Sequence, residues 1–180
     1  MTTQTRNEAT TTQATEILPS YVRGQWWRPE DPERAADVVD AATGEPLVRV
    51  STEGLSTAEV VRYGRDRGQK SLGELTIHER ALIIKKLAMH LNEHKDELYE
   101  VSFRTGATAK DHLIDTDGGI GTLFTFSSKA RRELPNSRVI VDGNVEQLSA
   151  DGSFLGEHIY TRLPGVAVQI NAFNLSLIHI

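Results

Sequence analysis

The chain has 180 residues, 38% of them hydrophobic and 25% charged, which is one domain's worth of protein with enough apolar content for a core. Its formal net charge of −5 argues against nucleic acid as the main partner, and no apolar run approaches the roughly 20 residues that span a bilayer. Cysteine is absent, so the chain itself supplies no disulfide, no thiolate metal site and no cysteine nucleophile.

Residues 1–16 are polar, with seven threonines and only Met1, Ala9 and Ala14 as apolar side chains. Such a stretch cannot bury enough surface to offset chain entropy, so a disordered tail is expected. It has no secretory apolar segment and too little arginine for a transit peptide, which makes a cytoplasmic location the expectation. Apolar content begins at Ile17-Leu18 and continues through Tyr21-Val22 and Trp26-Trp27. The two tryptophans read as anchors for an N-terminal segment in preference to a ligand platform. Val38-Val39 and Leu47 to Val50 form short strands on either side of the turn Ala42 to Glu45.

Three helical stretches follow. Ser56 with Glu59 fits a capping box, opening a helix to about Leu72 that stops near Gly73. Thr76 with Glu79 repeats the signal. Behind it Ile77, Ala81, Ile84, Ala88, Leu91, Leu98 and Ser102 keep a helical period, and this helix is expected to end near Gly106. The third helix spans about Ala107 to Leu134 and stops at Pro135. It carries Asp117-Gly118-Gly119-Ile120-Gly121, and each mid-helix glycine costs about 1 kcal/mol relative to alanine. Close approach of another element is the simplest reason for them.

After Pro135 the period changes to strands: Val139 to Val141, Val145 to Leu148 and Phe154 to Leu163, with Asp142-Gly143 as a turn signal. Gly165 to Ile170 is a nearly continuous apolar run, the pattern of a strand buried on both faces of a parallel sheet. The polar residues after it, Asn171-Ala172-Phe173-Asn174, fall where open α/β sheets bind ligands. Only ten residues follow Ile170, too few for a βαβ unit. The fold class is therefore α/β, with N-terminal helices and small strands ahead of the first strand of a cofactor-binding fold.

Several residue groups invite a functional reading and are better explained by structure. His90 and His94 are spaced i, i+4, yet a zinc site needs a third ligand. The Asp117 to Gly121 block follows no strand and lacks the phosphate-loop spacing. Lys129, Arg131 and Arg132 complement a helix C-terminus. Asp111 and Asp115 read as a solvated face. No metal site is expected. Asn174 is different: its amide could stabilise negative charge on a substrate oxygen, or it could bond its own backbone in a turn. On spacing alone both readings stand.

The segment Gly165 to Asn174 resembles the first dinucleotide-fold strand of the aldehyde dehydrogenase family and the Pro-Trp-Asn segment after it, with Ala172 and Phe173 in place of proline and tryptophan. Ser51 to Leu55, Thr105 to Thr108, Asp117 to Thr125 and Arg132 to Pro135 are similar to the branch of that family acting on ring-opened CoA-thioester semialdehydes in phenylacetate breakdown. The resemblance covers about residues 20–174.

It implies an aldehyde dehydrogenase-like fold over 17–174, ending in the first strand of a truncated Rossmann-like cofactor domain. By the same resemblance, Asn174 is the catalytic asparagine whose amide helps form the oxyanion hole. Ile170, Asn171, Ala172 and Phe173 line the nicotinamide cofactor, NAD or NADP. The strands from Val145 to Leu163 form an arm that joins subunits of a homo-oligomer. The substrate is a small aldehyde, CoA-linked in this branch. Family chemistry also needs a cysteine thiolate that attacks the aldehyde, hydride transfer to NAD(P)⁺, and a glutamate that activates water. The family places that cysteine and glutamate beyond residue 180, so the chain by itself is expected to be an inactive, poorly stable fragment. Leu175-Ser176-Leu177-Ile178-His179-Ile180 departs from the family pattern and resembles translated sequencing-adapter read-through, so it is expected to be foreign to the natural protein. Two alternatives stand beside this reading: a dehydrogenase for another CoA-thioester semialdehyde, and a non-catalytic oligomerisation module that borrows the fold.

Overall fold

The computed structural model describes residues 16–170. Most of the expected tail, residues 1–15, and the whole of Asn171 to Ile180 lie outside the described residues. The chain divides into two units, Met1–Leu55 and Ser56–Ile180.

The first unit is built from two small antiparallel pairs. Strands β1 (Ser20–Val22) and β2 (Gln25–Trp27) are joined by Arg23-Gly24. Both linking residues have positive φ, 54° and 82°, the backbone of a two-residue type I′ hairpin. Glycine adopts it freely, whereas Arg23 is strained there. Tyr21 and Trp26 are cross-strand partners and meet edge to face with centroids 5.2 Å apart. Trp26 therefore packs on its own hairpin and stays exposed.

Strands β3 (Ala36–Val39) and β4 (Pro46–Val50) pair where the sequence placed them. Asp40 organises the turn: its Oδ1 accepts from the amides of Ala42 and Thr43 at 2.8 and 3.1 Å. A single parallel bridge ties Ile17 to Arg49, with the Arg49 amide donating to Glu16 O at 2.8 Å. Glu16 thus belongs to the folded unit and not to the tail, a one-residue correction. Arg49 also donates to Ala35 O at 2.8 Å and pairs with Asp37 at 3.2 Å, over the buried Ala35.

The second unit is mainly helical. Helix α1 (Thr57–Tyr63) is capped by Ser56 Oγ, which accepts from the Glu59 amide at 3.3 Å. A π-helical turn over 64–68 leads into α2 (Gln69–Glu74). Gly73 lies inside α2, and the helix stops at Leu75, two residues later than expected. Helix α3 (Ile77–Glu93) opens with the full capping box of Thr76 and Glu79.

The single long helix expected to Gly106 is broken at His94, where α4 (Lys95–Arg104) starts. No glycine or proline marks the break. Asp96 and Glu97 in the first turn of α4 favour a new N-terminus there. Every residue of the expected apolar face, from Ile77 to Ser102, is nonetheless buried or half-buried. The third helix also divides, into α5 (Ala109–Ile114) and α6 (Thr116–Glu133), and ends at Leu134 ahead of Pro135 as expected.

The core lies where α3 packs on α6. Ala81 and Ala88 face it from α3. Thr116, Gly119, Ile120, Leu123 and Ser127 form one buried stripe along α6. The small residues let the helices approach until Ser127 Oγ donates directly to the Ala81 carbonyl at 2.8 Å, in a buried position. Of the three glycines only Gly119 lies buried in this stripe. A Cβ on Gly118 would meet Leu113 O at an ordinary 3.5 Å, and one on Gly121 would meet nothing within 4 Å. Nothing in the structure explains those two glycines.

Strands β5 (Ile140–Gln147) and β6 (Leu155–Tyr160) form a third antiparallel pair. Asp142-Gly143 is a bulge within β5, where the register shifts, and not the turn expected there. The turn is Leu148 to Phe154, built on Asp151. Ser149 Oγ and Ser153 Oγ each donate to Asp151 Oδ1 at 2.7 Å, and the Ser153 amide adds a third bond at 3.1 Å. These bonds, that of Ser149 foremost, hold the Asp151 carboxyl down at about 2. A lowered carboxyl supports the turn above its ordinary value of 3.8 and releases it as the pH falls through about 2. The ¹³C carboxyl signal of Asp151 should titrate with a midpoint near 2. A midpoint at the ordinary value would show that the three bonds are not made in solution.

The expected buried parallel strand is not formed. Residues 163–170 belong to no sheet, and Leu163, Val168 and Ile170 are 92%, 74% and 91% exposed. A parallel strand is stable only between neighbours. Among the described residues every sheet is an isolated antiparallel pair.

Candidate functional site

Of the five sequence-predicted site residues, Ile170 is described and is fully open to solvent. Asn171, Ala172, Phe173 and Asn174 lie outside the described residues. Ile170 by itself forms no cradle for a dinucleotide.

The other groups singled out in the sequence resolve into structural contacts. His90 and His94 have ring centroids 4.5 Å apart, and His94 Nδ1 binds Glu97 Oε1 at 2.7 Å. That hydrogen bond, with the charge of Glu97, raises the His94 pKa. No three His, Cys, Asp or Glu side chains converge as metal ligands among the described residues. Asp111 completes a capping box with Thr108, which lowers its pKa. Lys129 pairs with Glu133 at 3.6 Å, and Arg131 Nε donates to Ser127 O at 3.4 Å.

Asp117 has a partner set that the sequence did not announce. The Tyr99 hydroxyl lies 2.9 Å from each of its carboxylate oxygens, and Lys95 Nζ lies 3.3 Å from Oδ1. The Tyr99 ring stacks on His112 at 4.5 Å and 6°, and Phe103 meets the same imidazole edge-on at 4.4 Å. His112 is buried, and its Nε2 has no hydrogen-bond partner. The carboxylate raises the pKa of both Tyr99 and Lys95, chiefly through these hydrogen bonds. Both groups are thereby held protonated, further from proton exchange near neutrality. The cluster is a clasp joining α4 to α6 and not an acid–base pair.

A cavity of about 440 Å³ opens between α3, the end of α6 and the β5–β6 pair. Arg80, Arg138 and Arg162 line it together with apolar side chains. This grouping is not legible in the sequence, because the three residues come from separate elements.

Residues 26–180 match the aldehyde dehydrogenase family, and the chain belongs to it. It is 37% identical over 158 residues to the 3,4-dehydroadipyl-CoA semialdehyde dehydrogenase of Aromatoleum evansii, covering 87% of this chain and 30% of that protein. It is 27% identical over 165 residues to the aldehyde dehydrogenases citD of Monascus ruber and mpl4 of Monascus purpureus, covering 91% of this chain and 30% of each. The chain thus spans about 30% of the length of these curated relatives. No helix among the described residues is long and apolar enough to cross a membrane.

Proposed function

We propose that the chain is the N-terminal part of an NAD(P)-dependent aldehyde dehydrogenase that oxidises a CoA-linked semialdehyde to its acid in the breakdown of aromatic compounds. The 37% identity to a semialdehyde dehydrogenase of that substrate class carries the reading. In it Asn174 donates its side-chain amide to the oxygen that gains negative charge when the aldehyde is attacked. By the family resemblance Ile170 to Phe173 would line a bound nicotinamide, which would supply the hydride acceptor. The attacking thiolate comes from sequence outside these 180 residues, which hold no cysteine. The protein works in the cytoplasm as a homo-oligomer. Support for association comes from the β5–β6 hairpin, which leaves Val145, Leu148, Phe154, Leu155 and Ile159 exposed.

The 180-residue chain alone should show no aldehyde oxidation with NAD⁺ or NADP⁺, while the protein encoded by a longer reading frame should turn over CoA-linked semialdehydes. Turnover by the chain alone would overturn the proposal. So would a longer protein that oxidises free aldehydes and ignores CoA-linked ones, as far as the substrate is concerned.

A further inference from the structure

We infer that Arg80, Arg138 and Arg162 form a binding site for a phosphate group. The inference goes beyond the dehydrogenase reading and does not rest on it.

Three arginines line one cavity, and no Asp or Glu is among the residues that line it or the adjoining hollow of about 290 Å³. Arginine stays charged at all accessible pH, so three like charges belong to the residues of this wall. Glu79 feels the charge of Arg138, but its pKa is lowered mainly by its hydrogen bonds with Thr76. Its carboxylate is already bonded to the Thr76 amide at 2.7 Å in the helix cap.

Two details show that the cluster is positioned. Arg80 Nε is buried and has no hydrogen-bond partner. A buried charged donor left unpaired is costly, so it marks a place for an acceptor. Arg162 Nη1 donates to the Gln69 carbonyl at 2.8 Å, which fixes its guanidinium against α2. There it occupies the space of a side chain on Gly73: a Cβ at that residue would fall 1.2 Å from Nη1. Gly73 sits inside a helix, where glycine is unfavourable, and the passage of Arg162 gives it a reason.

Planar guanidinium forks suit phosphate oxygens, which can take several N–H donors at once. Most of the rest of the cavity wall is apolar, including Ile77, Ile84, Leu134 and Ile140. That surface would receive the organic body of a phosphate ester.

The test follows the arginine Nε–Hε signals of the 180-residue chain by ¹H–¹⁵N spectroscopy during titration with sodium phosphate, CoA or dephospho-CoA, against sodium chloride at matched ionic strength. A saturable shift of the Arg80 signal with phosphate or CoA is expected. Tighter binding of CoA than of phosphate assigns the site to an organic phosphate, and equal binding assigns it to the free anion. Weaker binding of dephospho-CoA would identify the 3′-phosphate as the bound group. Arg138→Gln should weaken binding by about tenfold or more, the usual loss for a charge-assisted hydrogen bond. Gly73→Ala keeps or raises helix propensity while displacing Arg162, so it tests the site even if Arg138→Gln fails to fold. A shift that chloride reproduces, or unchanged affinity in Gly73→Ala, would overturn the inference.

Discussion

Replacing Asn174 by alanine in the longer dehydrogenase should lower kcat by about 10²–10³-fold, with KM changed by only a few-fold. The expectation follows from differential binding. An amide that donates to an oxygen gaining charge does little for the neutral carbonyl and much for the alkoxide-like transition state. Asn174→Asp should be at least as damaging, because it replaces the donor with an acceptor of like charge. The competing reading, an asparagine that bonds its own backbone in a turn, makes the opposite prediction. Its loss would lower the melting temperature and leave kcat within a few-fold of normal. Steady-state kinetics and a thermal melt on the same variant separate the two. A kcat within threefold of the parent would remove Asn174 from the chemistry.

Local signals in the sequence translated well. The Thr76–Glu79 box forms in full, Ser56 caps α1 through the Glu59 amide, and the β3–β4 turn falls where expected, because each depends on residues a few positions apart. The apolar face from Ile77 to Ser102 survived even the break at His94, because burial is set by periodicity and not by helix continuity. What failed was non-local. The apolar run before Ile170 has the composition of a buried strand, but composition cannot supply neighbouring strands, and the segment lies exposed. Asp142-Gly143 was a sound turn signal for a glycine at positive φ, 77°, and the chain used that φ for a bulge.

The candidate site was legible only through family resemblance. Asn174 follows an apolar run, but spacing alone left a turn residue equally acceptable. The clasp at Asp117 was hidden for a different reason. Asp117 opens a glycine-rich block and reads as a helix N-terminal acid, while Tyr99 and Lys95 sit an i, i+4 step apart on another helix. Nothing in the sequence pairs residues 18 and 22 positions away. The arginine cavity likewise draws on α3, the segment before β5 and the residue pair after β6.

Ile120→Ala should destabilise the helical unit by about 2–4 kcal/mol, the range for removing a large aliphatic side chain from a packed interior. Ile120 is 3% exposed in the α6 stripe between Thr116 and Leu123. In the same stripe Ser127 is held by its hydrogen bond to the Ala81 carbonyl. Removal of the side chain from this packed interface adds a cavity term to the lost transfer energy. Among the described residues the buried apolar side chains of the unit are few, Ala81, Ala88, Ile120 and Leu123, which leaves little else to absorb the loss. Leu113→Ala is the matched control: Leu113 is 64% exposed, and its truncation should change stability by less than about 0.5 kcal/mol. Amide hydrogen exchange reads both variants without requiring a reversible melt. Protection across α3 and α6 should fall together in Ile120→Ala, because the two helices share one interface. If Leu113→Ala loosened them equally, the core would not lie between α3 and α6 in solution.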